Sequence, residues 1–133
     1  MGNAESRQDE AEQRKQDRGD YVPLMIQQKV EDMILYGNQA LLNFPRAERY
    51  AMAADIKQSM YTLYRLIVTA NKKYYKKTTL QDADVELAVL RGFIRLAANK
   101  ELRYLPMNKY ENWAKKLDEI GRMLGGWIKA TKQ

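Results

Sequence analysis

Arg91 and Arg95 stand one helical turn apart in the run Leu90-Arg91-Gly92-Phe93-Ile94-Arg95-Leu96-Ala97. Residues four apart on a helix share a face, so both guanidinium groups emerge on one side, at the edge of an apolar surface. A planar guanidinium presents paired N–H donors that match phosphate and carboxylate. The chemistry offered is anion recognition. The competing reading pairs these arginines with acids such as Glu86, Glu101 or Glu119, and a surface pair of that kind contributes about 0–1 kcal/mol.

A second basic group occupies Asn71-Lys72-Lys73-Tyr74-Tyr75-Lys76-Lys77-Thr78-Thr79. Lys72, Lys73, Lys76 and Lys77 could contact phosphates while the two tyrosines offer stacking surfaces. Lysines also suit a helix C-terminus, where the macrodipole favours cations. Arg122 adds a further cation near the end of the chain.

Catalytic chemistry finds little support. The 133 residues include no histidine and no cysteine. That removes the commonest general base, the thiol nucleophile, disulfides and the usual zinc ligands. Ser6 and Ser59 have no histidine partner, and no glycine-rich phosphate loop occurs. Asp82, Asp84, Glu86, Asp118 and Glu119 read as helix-start acids or solvated charges. The expectation is a protein that is not an enzyme and carries no metal or cofactor.

The formal net charge is +6, unevenly spread. Residues 1–20 carry four Lys/Arg against six Asp/Glu, and the remaining 113 carry 19 against 11. A basic body of this size suits a polyanionic partner such as nucleic acid. No apolar run is long enough to span a membrane, and the expected location is cytoplasmic.

Four helices must position these groups. Residues 1–20 have too little apolar surface to offset their ordering entropy, so they are expected as a disordered charged N-terminal arm before a domain at 21–133. Ile26, Val30, Met33, Gly37, Ala40 and Phe44 recur in steps of four and three, which predicts a first helix ending before Pro45. Ala53, Ile56, Met60, Leu63, Ile67, Ala70 and Tyr74 mark a second, starting at Pro45 or Arg46. Ala83, Leu87, Leu90, Ile94 and Ala97 mark a third, opening at Thr79 or Asp82. Trp113, Leu117, Ile120, Leu124 and Trp127 mark a fourth, with Asn108 as N-cap. Short links between amphipathic helices predict an all-α, up-down-up-down antiparallel four-helix bundle.

The fourth helix contains Gly121, Gly125 and Gly126 beside Trp127. Each interior glycine costs about 1 kcal/mol relative to alanine, so a close helix–helix approach at this packing motif is expected to offset it. Tyr50, Tyr61, Tyr64, Phe93, Trp113 and Trp127 exceed what one thin bundle hides easily, which predicts self-association.

The helix-three run from Asp82 through Ala97, with Lys109-Tyr110-Glu111 and Gly121-Arg122-Met123-Leu124-Gly125-Gly126-Trp127-Ile128, resembles the Avd (accessory variability determinant) proteins of diversity-generating retroelements. These belong to a wider group of four-helix bundles that includes proteins encoded in 23S ribosomal RNA intervening sequences. The resemblance covers about residues 25–130. It implies a basic homopentameric barrel that binds RNA or cDNA and a reverse transcriptase. It also implies a non-catalytic role in mutagenic retrohoming, the copying of a template RNA into adenine-mutagenised cDNA. Arg91, Arg95, Lys72, Lys73, Lys76, Lys77 and Arg122 would then hold nucleic acid or the polymerase. The alternative is an interaction bundle of the ribosomal intervening-sequence type, without a reverse transcriptase partner.

Overall fold

The computed structural model describes the backbone of residues 3–131, and the side chains of 6–10 and 23–131. Four α-helices make up the fold: α1 (Asn3–Leu41), α2 (Met52–Lys72), α3 (Lys77–Ala98) and α4 (Met107–Ala130), with a 3-10 turn at Arg46–Glu48 between α1 and α2. Each helix packs on its neighbour in sequence, and α1 packs on α4. Lys29, Met33 and Tyr36 of α1 meet Glu119, Trp113 and Lys109 of α4 respectively. One helix rises as the other falls. Glu31 with Tyr64 and Asn71 with Gln27 show the same sense for α1 and α2. The result is an antiparallel helix bundle.

The core follows the stripes. Ile26, Val30, Met33 and Ala40 are buried from α1, Phe44 from the connection that follows it, and Ala53, Ile56, Met60, Leu63, Ile67 and Ala70 from α2. Ala83, Leu87, Leu90, Ile94 and Ala97 of α3 meet Trp113, Leu117, Ile120, Leu124 and Trp127 of α4. Trp113 is the largest fully buried side chain. Its Nε1 donates to the Met33 sulfur at 3.3 Å, so the indole N–H keeps a partner inside apolar surroundings. Tyr36 meets the Trp113 ring edge-on and donates its hydroxyl to the Lys109 carbonyl.

Element boundaries differ from the sequence reading in four places. The second helix starts at Met52 rather than at Pro45 or Arg46, because a 3-10 turn at Arg46–Glu48 comes first and its Glu48 carboxylate accepts the Met52 N–H at 3.2 Å. An acid there satisfies a donor left open at a helix start. Tyr74 lies beyond the end of α2 and is exposed, although its position continues the stripe. The third helix opens at Lys77, ahead of Thr79. The fourth follows Pro106 directly, so Asn108 sits in its first turn instead of capping it. The preceding connection needs a left-handed backbone at Arg103 (φ 55°). It is held by the Asn99 carbonyl, which accepts the Leu102 and Arg103 N–H groups.

The segment 1–20, expected as a disordered arm, continues α1 back to Asn3. The side chains of residues 6–10 are nevertheless all exposed, as a segment without apolar residues requires. Its other side chains lie outside the described residues.

Candidate polyanion-binding surface

Arg91 is placed by the α3 stripe at the seam with α4. Its Nη1 pairs with Asp118 Oδ1 at 2.5 Å, and its Nη2 donates to the Leu117 carbonyl at 3.1 Å. The pairing partner is therefore Asp118, not Glu86, Glu101 or Glu119. Glu86 instead accepts the buried Ser59 hydroxyl from α2 at 2.8 Å, and Glu119 pairs with Lys29 across the α1–α4 seam. Arg91 is a clamp between α3 and α4, with both hydrogen-bonding ends of its fork engaged.

Gly121 explains how the clamp seats. A Cβ at Gly121 would collide with Arg91 Nη2, and Leu87 lies at ordinary contact distance, 3.5 Å. The close approach at this glycine is made by a side chain, not by a helix backbone. At Gly125 and Gly126 a Cβ would meet nothing within 4 Å. Within one chain these two glycines make no close packing, which corrects the expectation for the bundle interior. Gly37 is tight against the core, where a Cβ would stand 2.6 Å from the Met60 sulfur and 2.7 Å from Trp113. Sequence reasoning set Gly37 in the α1 stripe but missed its role. A glycine occupying a core position of an otherwise large-residue stripe was the available signal.

Arg95 is exposed one turn beyond Arg91 and lines a groove with Tyr110 and Ala114. Arg122 is exposed and borders a 460 Å³ cleft between α3 and α4 that also holds Asp84, Arg91 and Asp118. Two acids face two arginines there, so the cleft offers no net cationic field.

The lysines between α2 and α3 divide. Lys76 Nζ donates to the Ala70 carbonyl at 2.6 Å and weakly to that of Asn71 at 3.4 Å. Carbonyls at a helix C-terminus lack intrahelical partners, and lysine supplies one. Lys73 reaches Thr79 Oγ1 at 3.4 Å. Lys72 is exposed, as are Tyr74 and Tyr75, whose rings pack edge to face at 4.8 Å. This end of the bundle is basic and aromatic, and Lys76 also anchors it.

The six rings assigned to surplus surface separate as well. Trp113 and Trp127 are core residues, Phe93 and Tyr64 are half-buried, and Tyr50 and Tyr61 are exposed. Tyr64 donates to Glu31 Oε2 at 2.7 Å, and Tyr104 donates to Glu48 Oε1 at 3.1 Å. Each acceptor carboxylate holds the phenol proton and raises the tyrosine pKa above its ordinary value, with burial adding in the same direction.

No group of His, Cys, Asp and Glu among the described residues could hold a metal ion. No described helix is long and apolar enough to cross a membrane. The arrangement is that of a small antiparallel helix bundle. A family model described as bAvd-like matches residues 24–131, and the chain belongs to that family. The matched span takes in the whole packed bundle and begins just after Pro23. A comparison with curated proteins finds no match.

Proposed function

We propose that this protein is the non-catalytic accessory subunit of a diversity-generating retroelement, binding nucleic acid and a reverse transcriptase to support mutagenic cDNA synthesis. The observation that carries the reading is the bAvd-like match over residues 24–131. An excess of positive charge outside residues 1–20 supports it, because neutralising phosphates releases counterions and drives binding. Arg95, Arg122, Lys72, Lys73, Lys76 and Lys77 are the proposed contacts to nucleic acid or polymerase. Arg91 contributes by fixing the α3–α4 seam beside Arg95.

The active form is proposed to be a homopentamer, a number that comes from the resemblance. Exposed Val85, Val89 and Leu96 on the outer side of α3 supply apolar surface for association. Gly125 and Gly126 leave open backbone on α4 beside Trp127 for the approach of a neighbouring subunit. The cytoplasm is the proposed location, and residues 1–20 form a segment separable from the bundle.

The test is co-purification with the reverse transcriptase encoded beside the same gene, together with its template RNA, and reconstituted cDNA synthesis. The expected result is a stable complex and cDNA yield that depends on this protein. A polymerase that neither binds it nor changes its yield favours the intervening-sequence type of bundle. Light scattering on the purified protein reports the subunit number, and a monomer at micromolar concentration excludes the pentamer.

A further inference from the structure

The connection between α1 and α2 presents a cationic pocket that the helix patterns do not predict. Arg46, Arg49 and Lys57 line a cavity of about 110 Å³ whose apolar wall includes Leu41, Phe44 and Ala53. All three cations are exposed. The charged lining is entirely cationic, in contrast to the mixed α3–α4 cleft.

The neighbouring acids are turned to other tasks. Glu48, between the two arginines in sequence, accepts the Tyr104 hydroxyl through Oε1 and the Met52 N–H through Oε2. Asp55 lines a different groove, between α2 and α3. Glu48 therefore does two things at once. Its oxygens are engaged without an ion pair to Arg46 or Arg49 among the described residues, and it fixes the turn that carries them by tying it to α2 and to the α3–α4 connection. Phe44 packs on Tyr104 at 5.7 Å and completes that brace.

Tyr50 follows Arg49 directly and is 88 % exposed, and Leu42 on the pocket rim is 78 % exposed. A cationic pocket whose lining residue Arg49 is followed in the chain by an uncovered aromatic residue is a combination suited to a strand with unpaired bases. The cations track phosphates and the ring stacks a base. A duplex, with its bases already stacked, gains nothing from the ring.

We infer that the Arg46–Arg49–Lys57 pocket, with Tyr50, is a binding site for single-stranded nucleic acid at the end of the bundle opposite Lys72–Lys77. The inference rests on the nucleic-acid-binding part of the proposed function and names the site and the form of the ligand. The test uses the full chain and a labelled mixed-sequence RNA strand, alone and as a duplex, over a range of salt. Arg46→Ala/Arg49→Ala/Lys57→Ala is compared with the charge-matched Arg65→Ala/Lys115→Ala/Lys129→Ala, whose positions are exposed and scattered. Three lost phosphate contacts should flatten the dependence of log affinity on log salt by about 2 units for a single strand. The scattered variant should keep the wild-type slope. Tyr50→Ala should weaken single-strand binding roughly tenfold and leave duplex binding unchanged.

Equal losses and unchanged slopes in both triple variants overturn the site and leave nucleic-acid binding standing. Equal weakening of strand and duplex by Tyr50→Ala overturns the single-strand assignment. Absence of any RNA binding by the wild-type chain overturns the underlying reading as well. Competition by DNA of the same sequence separates a site for phosphates and bases from one that also reads the ribose 2′-hydroxyl.

Discussion

The Arg91 guanidinium lies against Gly121, and the two residues should respond to mutation as one unit. Arg91→Ala removes a cross-helix ion pair and a bond to the Leu117 carbonyl. It is expected to lower stability by about 1 kcal/mol, since the pair is partly exposed. Gly121→Ala alone should be near neutral, because the gain in helix propensity is offset by displacement of the guanidinium. In the Arg91→Ala background the same change should stabilise by up to about 1 kcal/mol. Urea denaturation of the four proteins measures the coupling. Strict additivity would show that the side chain moves aside at no cost. Gly37 should behave differently. The Met60 thioether can shift, but the Trp113 ring is held by Met33 and Tyr36. Gly37→Ala is expected to cost about 1–3 kcal/mol through overpacking, and a variant as stable as wild type would contradict the tight seat.

At the scale of the elements, the helical stripes were legible because burial imposes a 3.6-residue period on residue type. Met33, Trp113 and Ile94 fall where that period sets them. Boundaries were less legible, because they depend on contacts across the chain. Glu48 starts α2 through its own carboxylate, and nothing in the local pattern distinguishes it from a solvated acid. The candidate site was legible as composition, not as geometry. Arg91 and Arg95 share a spacing, yet one is clamped by Asp118 on another helix. Arg46 and Arg49 lie outside any periodic segment and gain their setting from Tyr104, more than fifty residues away. The side chains of residues 6–10, by contrast, are all exposed. Removing residues 1–20 should therefore leave the melting temperature of the body essentially unchanged, and a large drop would show docking in the full chain.

For the whole molecule, two phenol–carboxylate bonds are expected to contribute to stability at alkaline pH. Tyr64 joins α2 to α1, and Tyr104 joins the α3–α4 connection to the α1–α2 turn. Both phenols have raised pKa values in the folded state. A raised value means the native protein holds the proton more tightly than the unfolded chain. The contribution is complete below the unfolded tyrosine pKa of about 10 and is lost as pH rises through the folded value. Melting temperature should fall above that pH, and Tyr64→Phe/Tyr104→Phe should show a shallower fall than wild type. Equal slopes would assign the alkaline loss to other groups.

The ring of helix contacts also orders events in time. Three of its four seams join consecutive helices and need only short loops to form. The fourth, α1 on α4, must bring together segments separated by most of the chain, and closing long loops is slow. The route this implies is assembly from helical hairpins, with the α1–α4 seam zipped last. Substitutions in that seam, such as Met33→Ala, should then mainly accelerate unfolding, while Leu63→Ala, within the earlier α2 packing, should slow refolding. Trp113 stands in the late seam, so stopped-flow fluorescence of this indole would report the closing step directly.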